Sequence, residues 1–135
     1  MDRPFLDANV LFSAGYKDTS PLRKLWELPD TELLTSAYAA EEARRNLSED
    51  KPGQIDSLER LLDAVAVMAD PAPATALPEG VSLPEKDRPI LLAAIEASAT
   101  HLLTGDKDHF GKFYGQMIQG ILVLRPRDYL NLRAE

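Results

Sequence analysis

The sequence predicts an α/β protein built on a parallel sheet of about five strands, with helices on both faces. Three observations carry this expectation. Short apolar, strand-like runs alternate with helical runs along the whole chain. The 135 residues, 44 % of them hydrophobic, suit one core and therefore one domain, residues 1–135. The acids that stand out lie where strands end, which is where ligand sites form in such folds.

The first strand is read over residues 4–12, PFLDANVLF, from Phe5, Leu6, Val10, Leu11 and Phe12. SPLRKLWEL then reads as a helix, with Ser20 as its N-cap and Pro21 in its first turn. TELLTS is a short strand, and AYAAEEARRNLSED a helix rich in alanine and charge. KPGQ breaks that helix, and IDSLERLLDA resumes the helical period through Ile55, Leu58, Leu61 and Leu62. VAVMAD is the third strand. Residues 71–84 form a proline-rich connection without a period, expected to be functional or partly mobile. DRPILLAAIEASA is a helix and THLLTGD a strand, followed by KDHFGKFYG as a short irregular or helical piece. QGILVLRP supplies the last strand and RDYLNLRAE a terminal helix. No internal repeat is present.

Composition removes several function classes. There is no cysteine, which rules out disulfides, thiolate metal sites and thiol nucleophiles. No apolar run approaches the ~20 residues of a membrane span, and MDRPFLDANV lacks a basic segment followed by an apolar signal core. The expectation is a soluble, cytoplasmic protein. A net charge of −7 argues against a broad basic surface for duplex DNA. It is compatible with a nucleic acid at a site where bound cations invert the local charge. No glycine-rich phosphate loop is present.

Four acids then draw notice. Asp7 lies within or at the end of the first strand, where an ionised carboxylate is costly unless paired. Asp106 follows HLLT across Gly105, whose missing Cβ permits a tight exit from the strand. Asp87 opens a helix and shares a face with Leu91, Ala94 and Ser98. The fourth is Glu41 or Glu42. Helical geometry favours Glu42, at the margin of the apolar face through Ala39, Ala40, Ala43 and Leu47, whereas Glu41 points outward.

Each acid alone has an ordinary explanation: Asp87 as an N-cap, Asp106 as a turn residue, Glu42 as a solvated helix residue. Together they suggest a carboxylate cluster that needs a compensating cation. Oxygen ligands without cysteine suit Mg²⁺ or Mn²⁺, and such an ion supports hydrolysis of a phosphodiester.

With these residues placed, the chain resembles the PIN-domain nucleases. FLDANVLFSA is similar to that family's first motif, an Asp followed two residues later by Asn or Ser. TSAYAAEEARRNL resembles the second, in which a Glu lies six residues after a Ser, here Ser36 and Glu42. LPEKDRPILLAAIEASATHLLTGDKDHFG resembles the third and fourth, carrying Asp87 and Asp106. The ending ILVLRPRDYL is similar to the family's closing strand and Pro-containing helix cap.

The resemblance spans nearly the whole chain and implies a three-layer α/β/α fold with metal-dependent cleavage of RNA. By that likeness Asp7, Glu42, Asp87 and Asp106 hold Mg²⁺ or Mn²⁺ and position the attacking water. Asn9 and Thr104 orient these acids, and Asp108 is an auxiliary ligand. Many small stand-alone members are VapC-type toxins of toxin–antitoxin pairs, which implies a small antitoxin partner and a homodimer. The proline-rich stretch at 71–84 is longer than in a compact toxin of that kind.

Other residues have competing readings. Lys86, Arg88 and Lys107 flank the acids and are either phosphate contacts or ordinary surface charge. His101 and His109 make no metal-spaced pair and are read chiefly as structural. Two other readings stay open. One is a catalytically silent PIN-like module that binds RNA or protein. The other is a receiver-type signalling domain, suggested by Asp70 after the third strand, Thr104 after the fourth and Arg125-Pro126 after the last.

Overall fold

The structure is a computed structural model that describes residues 1–134. Six strands form one sheet: β1 (Pro4–Leu6), β2 (Leu34–Ser36), β3 (Ala66–Met68), β4 (His101–Leu103), β5 (Met117–Ile118) and β6 (Ile121–Leu124). Their spatial order is β3-β2-β1-β4-β6-β5, parallel throughout except for the β5–β6 pair. Six α-helices accompany them: α1 (Ala8–Tyr16), α2 (Ala37–Asp50), α3 (Ile55–Leu62), α4 (Arg88–Glu96), α5 (Lys107–Phe110) and α6 (Pro126–Arg133).

The pleat sorts neighbouring side chains into two cores. Phe5, Leu34, Leu102 and Val123 join the cluster that also holds Ile90, Leu91 and Ala94 of α4 and Phe110 of α5. Leu6, Leu33 and Leu103 face the other way, onto Val10 and Leu11 of α1, Ala43 and Leu47 of α2, Leu58 of α3 and Tyr129 of α6. This is the period-two alternation of strands buried on both faces, and it yields three layers, α/β/α.

The first strand is shorter than the sequence suggests. It ends at Leu6, and residues 8–16 are helical. The apolar residues read as a strand to Phe12 obey a helical period instead, because Val10, Leu11, Ala14 and Gly15 form the buried face of α1. Asp7 is therefore the hinge between strand and helix. SPLRKLWEL folds as a 3₁₀ helix over Pro21–Glu27, with Ser20 accepting from the Leu22 N–H. The additional strand is β5, Met117–Ile118, which lies just before QGILVLRP and pairs with β6 in a hairpin. Gln119 and Gly120 both have positive φ, the two-residue turn that joins antiparallel strands.

The proline-rich connection is largely exposed but anchored to the core at three side chains. Leu77, Val81 and Leu83 lie against the α4 core, and the Thr75 carbonyl accepts a hydrogen bond from Arg88. Asp70 at its start caps α2 by accepting from the Tyr38 N–H at 2.8 Å.

The topology favours one place for a site. From β1 the chain winds outward through β2 to β3, then crosses to the other side of β1 as β4. The carboxyl ends of β1 and β4 thus flank a switch point, where open parallel sheets form crevices. In the receiver-type order the third strand lies beside the first, whereas here β3 is an edge and β4 takes that place. The receiver reading is overturned on that ground.

Phe5 is fully buried on the central strand. Phe5→Ala is expected to destabilise the protein by about 3–5 kcal/mol, measured as a lower urea midpoint with an unchanged slope.

Candidate functional site

β1 and β4 run in register, with Phe5 opposite Leu102 and Leu6 opposite Leu103, so their ends arrive together. The Asp7 N–H donates to the Leu103 carbonyl, and the Thr104 N–H to the Leu124 carbonyl. Asp7 and Thr104 therefore emerge side by side. The Thr104 hydroxyl donates to Asp7 Oδ2 at 2.8 Å. The Ala8 N–H donates to Asp7 Oδ1 at 2.7 Å, capping α1. Asn9 ties the same corner: its Nδ2 donates to Asp7 Oδ2 and its Oδ1 accepts from the Gly105 N–H at 2.8 Å. A Cβ on Gly105 would stand 3.3 Å from Asn9 Oδ1, so a larger residue there would push the Asn9 side chain by a few tenths of an ångström.

The other acids come from separate elements. α2 starts directly from β2, with Ser36 accepting from the Ala39 N–H. That entry sets the helix phase: Glu42 lines the cleft beside Asp7 and Asn9, while Glu41 lies in solvent next to Arg44. Asp87 ends a 3₁₀ turn over Glu85–Asp87 that leads into α4. It stands in the N-cap position, yet its side chain makes no capping hydrogen bond. Asp106 caps α5 by accepting from the His109 N–H, and its own N–H donates to the Thr104 hydroxyl.

Asp7, Glu42, Asp87 and Asp106 line one cleft of about 410 Å³, with Asn9, Ser13, Lys86 and Gly105. Thr104 is fully buried beneath it. Asp108 is not brought into the group, since it lies exposed on α5 and is absent from the lining. Among the flanking cations only Lys86 reaches the cleft wall. The Asp70 of the receiver reading serves as the α2 cap described above.

His109 is the residue that sequence reasoning undervalued. Its Nδ1 lies 2.8 Å from Asp87 Oδ2 and 2.9 Å from Asp106 Oδ2. The signal was available as the Asp106-x-x-His109 spacing, which places two side chains on one helical face. A search for paired histidines passes over it.

The electrostatics are those of crowded carboxylates. Burial pushes the Asp7 pKa up to about 6, with smaller upward contributions from Asp87 and Glu42; the Thr104 hydroxyl and Ala8 N–H oppose it. Burial also raises Asp87, and the nearby Asp106 adds to the rise while His109 counters it. The N-terminus of α1 favours negative charge here but leaves the repulsion largely in place.

The residues fit a divalent cation. Asp87, Asp106 and His109 each offer one ligand atom, and all three atoms lie within 4.8 Å of one another. Asp87 Oδ2 and His109 Nδ1 are buried and lack a partner with hydrogen-bond geometry, despite their close approach. Buried polar atoms without partners are uncommon, and a bound ion is one arrangement that would satisfy both.

Without a cation, ionised Asp7 should weaken the fold. Its pKa is higher folded than unfolded, so its stabilising contribution is complete below pH ~3.8 and lost as pH rises through ~6. The loss is about 3 kcal/mol. In chelator, Asp7→Asn is expected to raise the urea midpoint at pH 7.5 and to change it little at pH 4. Destabilisation at both pH values would contradict the burial argument.

No protein-family model matches the sequence, and no curated protein matches it. Solved structures do. VapBC2 from Rickettsia felis, bound to a DNA fragment from its promoter, matches at 16 % identity over 91 % of this chain and 98 % of that chain, with a TM-score of 0.65. VapBC-1 from nontypeable Haemophilus influenzae matches at 16 % identity over 93 % and 98 %, with a TM-score of 0.59. Mycobacterium tuberculosis VapC20, a sarcin–ricin loop cleaving toxin, matches at 14 % identity over 78 % and 92 %, with a TM-score of 0.56. At these identities the likeness is one of fold: the chain has the PIN-like α/β/α fold of VapC-type toxins.

Proposed function

We propose that this chain is a single-domain, divalent-metal-dependent endoribonuclease of the PIN-domain VapC type, the toxin of a toxin–antitoxin pair. The observation that carries the reading is the cleft itself. Four carboxylates from four separate segments line it at the carboxyl edge of the sheet, and Asp7 is only 5 % exposed. A cluster of that kind is costly in a fold unless a cation is meant to share it.

Asp7, Glu42, Asp87 and Asp106 are the residues proposed to hold Mg²⁺ or Mn²⁺. When bound, such an ion acidifies a water and stabilises charge on a phosphoryl oxygen. The remaining work falls to the chain. Thr104 and Asn9 fix Asp7 by hydrogen bonds, so its carboxylate enters the reaction already oriented. Glu42, which lines the same cleft beside Asp7, orients the attacking water towards phosphorus together with Asp7. Lys86 at the rim offers a positive charge to the RNA backbone. Asp108 keeps at most an outlying role, given its exposure.

The partners follow from the same reading. Two of the similar structures are VapBC assemblies, which supports a small antitoxin bound to this chain, and a homodimer is the expected assembly. No helix among the described residues is long and apolar enough to cross a membrane, and cytoplasmic action is part of the proposal.

The test is cleavage of a mixed RNA pool in Mg²⁺ or Mn²⁺. Wild type should cleave, and EDTA should abolish cleavage. Asp7→Asn and Asp106→Asn should each reduce it by at least about 100-fold while keeping the native circular dichroism spectrum. Gly105→Ala, which crowds Asn9, should lower the rate with a smaller loss of stability. Undiminished cleavage by both Asn variants would overturn the proposal. Metal binding by wild type with no cleavage of any RNA would favour a silent binding module.

A further inference from the structure

Resting on the metal-site reading above, we propose that His109 is itself a ligand of the divalent ion, through Nδ1, and that this nitrogen makes the site prefer Mn²⁺ to Mg²⁺. The argument begins with distances. His109 Nδ1 stands 2.8 Å from Asp87 Oδ2 and 2.9 Å from Asp106 Oδ2. These are hydrogen-bond lengths, but Asp87 Oδ2 and His109 Nδ1 satisfy no hydrogen-bond geometry. An ion pair would direct the N–H bond at an oxygen. Here neither short contact has that alignment, and one ligand atom each from Asp87, Asp106 and His109 lie within 4.8 Å of one another.

The spacing has a simple meaning in coordination chemistry. Two ligands at right angles on an octahedral Mg²⁺ ion, each about 2.0–2.1 Å from it, lie about 2.8–3.0 Å apart, and the edge is slightly longer for the larger Mn²⁺. Both separations from Nδ1 are close to that edge. Asp87 supplies the second observation: its side chain is 9 % exposed, and Oδ2 is aimed into the cluster without a hydrogen-bond partner. The His109 backbone N–H donates to Asp106 Oδ1, which fixes the Asp106 side chain at the start of the turn that carries His109.

The donor type then sets the preference. An all-carboxylate site suits Mg²⁺ and Mn²⁺ alike, whereas imidazole nitrogen favours first-row transition metals over Mg²⁺. A mixed set of one nitrogen and several oxygens therefore shifts selectivity towards Mn²⁺. His101, the chain's other histidine, begins β4 at the opposite end of the strand, so an imidazole signal from bound Mn²⁺ belongs to His109.

The experiment is Mn²⁺ and Mg²⁺ titration by calorimetry, with pulsed electron paramagnetic resonance of the Mn²⁺ complex. It compares wild type, His109→Gln, His109→Ala and Asp106→Asn as full chains. His109 is about one-third exposed, so its variants should fold, and circular dichroism checks that they do. Wild type should show ¹⁴N coupling to Mn²⁺ that both His109 variants lose. Mn²⁺ affinity should fall by at least about tenfold in those variants, with a smaller fall for Mg²⁺. Mn²⁺ binding without ¹⁴N coupling, unchanged or tighter in His109→Ala but weakened in Asp106→Asn, would overturn the ligand role and leave the carboxylate site standing. Absence of Mn²⁺ binding by wild type would overturn the metal-site reading and this inference with it.

Discussion

Asp7 is sealed into the seam between β1 and β4 by three hydrogen bonds, from the Ala8 N–H, the Asn9 amide and the Thr104 hydroxyl. The surrounding architecture depends on that clamp. The same carboxylate ends a strand, starts a helix and joins two strands that are distant in sequence. Asn9 extends the clamp to Gly105, and Thr104 extends it to Asp106. The position of the last acid is thereby tied to the first. Helix phase at Ser36 and the 3₁₀ turn before α4 bring Glu42 and Asp87 to the same cleft.

Such an arrangement conflicts with the stability of the bare fold. Burial alone makes ionised Asp7 unfavourable, and the neighbouring Asp87 and Glu42 add to it. Proteins tolerate strain of this sort where function over-determines it. The geometry around Asp87 and His109 has the same character, with buried polar atoms close together and unsatisfied by each other. On the proposed reading a shared cation would relieve both at once.

Much of this was legible in the chain. The alternation of apolar segments gave the layers, and Asp7 was conspicuous because Phe5 and Leu6 beside it are apolar. The helical phase of α2 separated Glu42 from Glu41 without a structure. What the sequence hid was shorter in range. Val10 and Phe12 are strand-favouring residues and extend the apparent strand beyond Leu6; only the spacing of Val10 and Leu11 with Ala14 betrays a helix. The Gln119-Gly120 hairpin lacks the usual Asn-Gly pair, which leaves β5 without a turn signal in the sequence. Residues 71–84 show no period because Leu77, Val81 and Leu83 dock individually rather than as one face. Asp108 reads as a ligand through family likeness, but on α5 it is exposed and does not line the cleft.

The measurement that bears most directly on this account is anomalous diffraction from a crystal of the protein grown with Mn²⁺. A single strong peak is expected in the cleft, about 2.0–2.3 Å from carboxylate oxygens of the Asp7, Glu42, Asp87 and Asp106 group. A peak elsewhere, or a cleft without one at saturating Mn²⁺, would contradict the claim that these carboxylates are held together to share a cation.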